Sequence, residues 1–140
     1  MTGLFKDDLT VALDEVDRTA SRIVTVCSDL AAITPDPEAA RRLTAHGERL
    51  RQALVEYNRL RRRAGQVPEV GDPERAHLQS LWLALKQAVS GEDAVEQLDA
   101  VLRELDGALQ QAVAAARAQG PEPELTRALE RLEAAGGAPR

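Results

Sequence analysis

Aromatic side chains are nearly missing from this chain: Phe5, Tyr57 and Trp82 are the only three among 140 residues. The core must therefore be built from Leu, Val and Ala, which suits packed helices and makes poor material for a sheet. So few rings also leave almost nothing for stacking on nucleic-acid bases. One cysteine, Cys27, excludes an intramolecular disulfide and fits a reducing compartment. No apolar run exceeds a few residues, which excludes a membrane-spanning helix. Met1–Asp8 lacks a basic start followed by an apolar stretch, so no signal peptide is expected and the cytoplasm is the expected location. No phosphate-binding glycine loop, Cys/His zinc cluster or Ser/His/Asp set is present. These gaps leave no expected catalytic residue and no expected cofactor.

What the chain does have is spacing. From Leu4 to Ile33 the apolar residues Leu9, Leu13, Val16, Ala20, Ile23, Cys27 and Leu30 recur by alternate fours and threes, the repeat of a seam packed into other helices. Thr34-Pro35 ends that helix, because a residue before proline is pushed out of the α region. Asp36-Pro37-Glu38 opens the next: a cap, a proline suited to the first helical position, and an acid at the positive dipole end. The second helix is expected to run to Ala64, with Gly65 as its stop and Leu43, His46, Leu50, Ala53, Tyr57, Leu60 and Ala64 as its seam. Asp72-Pro73-Glu74 starts a shorter third helix to about Val89. The fourth, 92–119, offers Ala94, Leu98, Val101, Leu105, Ala108, Ala112 and Ala115. The last, 123–135, offers Leu125, Ala128, Leu129, Leu132 and Ala135. One domain over 1–135 with a disordered tail at 136–140 follows.

Asp36-Pro-Glu38, Gly65 with Pro68-Glu69, Leu81-Trp-Leu-Ala-Leu-Lys86 with Ser90-Gly91, and Glu122-Pro-Glu-Leu125 stand in an order that resembles an uncharacterised bacterial family of ferritin-like four-helix bundles. The resemblance implies an all-α bundle of helices one, two, four and five, with residues 65–91 as a crossover carrying the short third helix. It departs at the last helix, which is about half as long as the others. Seam residues of the long helices would then lie open at one end, and a homodimer closing that gap is expected, with the third helix folding over the open end as the competing solution.

A ferritin-like fold implies a di-metal centre, which needs inward carboxylates from two helices and a Glu-x-x-His from each of the other two. The single Glu-x-x-His here is Glu74-Arg-Ala-His77, in the first turn of the crossover helix, where Glu74 reads as a dipole partner and His77 as a surface residue. Asp17, Glu56 and Glu104 only flank their seams. His46 is the one imidazole on a long seam, beside Gly47; alone it makes no metal site, and a half-buried, hydrogen-bonded histidine is the favoured reading over a ligand or pH-sensitive group. Tyr57 is expected to fill core volume and send its hydroxyl to the rim.

Charge is divided. The chain is net −5, yet residues 37–64 hold eight arginines against three glutamates, while 92–134 hold ten acids against four bases. Arg59, Arg61, Arg62 and Arg63 complement the C-terminal dipole of helix two and are the candidates for anion or partner contact. Nucleic acid is not the expected partner, since an acidic chain lacks a broad basic footprint. Basic helix two is instead suited to pairing with acidic helix four, within the chain or across a dimer. The expected role is that of a non-catalytic bundle acting through helix–helix or protein–protein contact. The alternative is an iron-handling or oxidase protein with a degenerate di-metal site.

Overall fold

A computed structural model describes residues 7–34, 36–66 and 93–136, and among them all regular structure is helical. The helices are α1 (Asp8–Ile33), α2 (Pro37–Arg63), α3 (Asp93–Ala118) and α4 (Pro123–Ala135). The start and stop signals act where the sequence places them. Asp7 caps α1 by accepting from the Thr10 N–H at 2.7 Å, and Asp36 caps α2 by accepting from the Glu38 N–H at 3.2 Å. At the end of α2 the Gly65 N–H donates to Arg62 O and the Gln66 N–H to Arg61 O at 2.9 Å. That double closure needs a left-handed residue, and Gly65 supplies φ +82°. The expected crossover helix, with Trp82, lies outside the described residues.

Each helix touches two others round a shared core: α1 lies against α2 and α3, and α4 lies against α2 and α3. Helices α2 and α3 therefore sit on the diagonal, with α1 and α4 between them. Pairing within the chain of basic helix two with acidic helix four is thus not the arrangement found. Directions follow from side chains that meet. Cys27 faces Gly47 while Asp14 faces Arg61, so α1 and α2 are antiparallel. Arg131 acts on Glu56 while Leu125 shares a cleft with Ala64, so α2 and α4 are antiparallel. Arg117 pairs with Glu130 and Leu109 meets Gly136, so α3 and α4 are antiparallel too. Hence α2 and α3 run the same way.

The α1 seam is buried from Leu13 to Leu30. On α2 the buried line is Leu43, His46, Leu50, Leu54, Tyr57 and Arg61, while the expected Ala53 and Leu60 pack against it only partly buried and the expected Ala64 is exposed. On α3 it is Leu102, Leu105, Leu109, Ala112, Val113 and Ala116, leaving the expected Ala108 and Ala115 exposed. A helix at 3.6 residues per turn drifts off a strict 3.5 repeat, and both corrections run in that direction. The open seam expected beyond the reach of short α4 is not found: Val26, Leu30, Leu43 and Leu50 are all 6% exposed or less. Among the described residues the only large exposed hydrophobics are Val11 and Val55. None of the helices described is long and apolar enough to cross a membrane.

Candidate functional site

The end of the core that α4 closes contains charge. Arg61 is 0% exposed, Asp17 1% and Asp14 2%. The Arg61 guanidinium donates through Nη2 to Asp14 Oδ1 at 2.9 Å, through Nη1 to Asp17 Oδ2, and through Nε to Gln66 Oε1 at 2.9 Å. Its planar fork is thus used in three directions at once. The Tyr57 ring lies 6.0 Å from the guanidinium carbon, and the Tyr57 hydroxyl donates to Leu13 O at 2.8 Å. The hydroxyl therefore ends inside the core and not at the rim. The closure of α2 by Gly65 is what brings Gln66 back to Arg61.

Burial dominates the titration of these groups. It pushes Asp17 up to about 6 against the pull of Arg61, and the neighbouring Asp14 carboxylate adds to the rise. Asp17 Oδ1 makes no hydrogen bond of normal geometry, although the Asn58 amide lies near enough to favour the carboxylate. Burial also works against the charge of Arg61, but the Asp14 hydrogen bond and the surrounding acidic groups hold it above its ordinary value. Tyr57 is pushed well above the phenol range, by burial first and then by Asp17.

Farther along the core, His46 is 2% exposed and its Nδ1 has no hydrogen-bond partner among the described residues, so it is more buried and less satisfied than the sequence suggested. Burial, then the charge of Arg49, pulls its pKa below the ordinary value. Gly47 beside it permits close approach: a Cβ there would stand 3.0 Å from Cys27 Cβ. Burial pushes the Cys27 thiol up to about 12, so it packs as a small hydrophobe. Glu74 and His77 lie outside the described residues. Among the described residues no group of three or more His, Cys, Asp and Glu is placed to hold a metal ion.

The surface of interest runs between α2 and α4. A cleft of about 210 Å³ is walled by Arg59 and Arg63 from α2 and by Arg127 and Arg131 from α4, with Glu56 and Glu124 among them. It adjoins a second hollow of about 180 Å³ at the Ala64 end, where Glu122 also stands, and Leu60 lines both. Arg59 is committed to Glu56 by hydrogen bonds of 2.6 and 3.1 Å, which hold that carboxyl below its usual range with help from Arg131 and Arg63. Arg63, Arg127 and Arg131 are exposed, and among the described residues they make no ion pair.

Of the four arginines singled out in the sequence, Arg59 and Arg63 meet in this cleft, Arg62 is exposed outside its walls, and Arg61 is withdrawn into the core. Arg61 is thus no surface contact residue. Sequence reasoning missed Asp14 as a core residue and missed Arg127 and Arg131 as cleft residues. The signal for the last two was present: they repeat at i, i+4 on α4, as Arg59 and Arg63 do on α2. Family models, curated proteins and solved structures offer no match to this chain.

Proposed function

We propose that this chain is a ferritin-like four-helix bundle that works without catalysis, by binding a protein partner through its α2–α4 face. The observation that carries the reading is the cleft in which three arginines, without an ion pair among the described residues, converge on one hollow. Exposed cations held on two rigid helices suit complementary contact, which governs partner choice and encounter rate more than bulk affinity. The antiparallel pairs α1–α2 and α3–α4, with α2 and α3 running the same way, support the ferritin-like arrangement. An iron-handling role would need carboxylates facing one another across the core, whereas Asp14 and Asp17 stand on one helix and already accept from Arg61.

Recovery of partners from source cells, with wild-type and Arg63→Glu/Arg127→Glu chains as baits, tests this. The wild type should retain a discrete protein that the double variant loses while melting at the same temperature. Equal recovery by both, or two iron or manganese ions bound per purified chain, would contradict it.

A further inference from the structure

We infer that the partner segment is an acidic helix of another protein, lying along the α2–α4 cleft with its carboxylates over Arg63, Arg127 and Arg131. This rests on the protein-binding role proposed above. The two hollows form one trough, since both include Leu60, Arg63 and Glu124. It runs from Glu56 beside Arg131 to Ala64 beside Glu122, roughly 12 Å at the helical rise. A trough of that shape takes an elongated ligand better than a compact anion, which would engage one end only.

The charge rows have helical spacing. Arg59 and Arg63 are four apart on α2, and Arg127 and Arg131 four apart on α4. Residues four apart on a partner helix sit about 6 Å from each other, so Glu at i and i+4 meets such a row in register. Leu60 on the floor offers a contact for one apolar residue between the acids, the usual manner of a helix in a groove. The trough is not uniformly basic: Glu122 and Glu124 occupy its α4 N-terminal end. The acids of the partner therefore belong toward Arg127 and Arg131, and the segment over Glu122 should be neutral or basic.

A second copy of this chain is the poorer occupant. A two-fold dimer sets the middle of the patch against itself, which would bring Arg127 of one copy close to Arg127 of the other. The chain as a whole is net −5, so copies also repel at long range. An acidic partner feels the same long-range repulsion, but at physiological salt that field is screened beyond about 8 Å and the local cations decide contact.

The test uses the full chain and a labelled helical peptide of about 20 residues, roughly 30 Å long, carrying Glu at i, i+4 spacing on both sides of a Leu stripe in one half and neutral Gln in the other. Its twin carries Gln for every Glu. Fluorescence anisotropy should show binding of the Glu peptide only, weakened about tenfold by Arg63→Gln/Arg127→Gln and by added salt. Arg103→Gln, on exposed α3 surface, should change nothing. Equal binding of both peptides, or of neither, would overturn the inference. So would pyrophosphate binding with the same arginine dependence while the Glu peptide fails, which would make the ligand a compact anion. A chain that sediments as a dimer and becomes monomeric in the double variant would place a second copy in the trough and equally overturn it. If the peptide fails but the arginine-dependent partner is still recovered from cells, the protein-binding role stands and only the acidic helix falls.

Discussion

Arg61 is the residue on which one end of the core depends. Its three partners lie on α1 and on the turn after α2, so losing the guanidinium takes a charged partner from Asp14 and Asp17 together. Arg61→Ala should cost about 3–5 kcal/mol in urea unfolding, while combining Asp14→Leu, Asp17→Leu and Arg61→Met should recover most of that loss. An Arg61→Ala chain within about 0.5 kcal/mol of wild type would show the buried pairing to be energetically idle. Asp17 gives a pH signature. Its folded pKa is raised to about 6 from an ordinary 3.8, so the proton binds the folded chain more tightly. The stabilisation is therefore complete below 3.8 and is lost as pH rises through about 6, by an amount on the order of 3 kcal/mol. Asp17→Asn removes this term, and the stability difference between wild type and variant should shrink across that window. Asp106, also raised by burial and then by Glu133, affects both chains alike and cancels in the difference. A difference independent of pH would mean that Arg61 outweighs burial at Asp17. None of this was legible from the seam, because an a/d line is narrower than the stripe a helix buries in a bundle. The register held the missing clue. Cys27 against Gly47 sets Arg61 opposite Leu13, and a long side chain leaning back toward the start of its helix reaches Asp14 and Asp17.

At the scale of elements, the sequence was most readable where a local signal has one outcome. Asp36-Pro37 starts α2, Gly65 closes it, and the last helix spans Pro123–Ala135 as expected. Helix faces were less readable, since Ala53 or Leu54, and Ala108 or Leu109, serve a seam equally well until the neighbours are placed. The cleft was half readable for the same reason: Arg59 and Arg63 are visible on α2, but nothing local says that Arg127 and Arg131 lie across from them. Helix approach can be tested with two glycines. A Cβ at Gly47 meets Cys27 Cβ at 3.0 Å, whereas one at Gly107 on α3 meets nothing within 4 Å. Gly47→Ala should therefore destabilise by about 1–3 kcal/mol through forced separation of α1 and α2. Gly107→Ala should stabilise by up to about 1 kcal/mol through helix propensity alone. Thermal melts giving both changes the same sign would contradict the close approach of α1 to α2.

For the whole molecule, the diagonal placement of α2 and α3 matters most. It leaves the arginine-rich face of α2 free of acidic α3 and sets it beside α4, which adds Arg127 and Arg131. The dimer expected from the sequence rested on open seam residues. Those residues are buried, so apolar closure no longer provides a reason for self-association. What remains outward is charge in the trough. Site-specific photo-cross-linking in source cells tests this most directly, with the photoreactive residue at position 63 or 127 in the trough and at exposed position 115 on α3 as control. The expected result is one discrete adduct with another protein from positions 63 and 127 and none from 115. Adducts spread equally over all three positions, or none from the trough, would contradict the claim that this chain acts through its α2–α4 face.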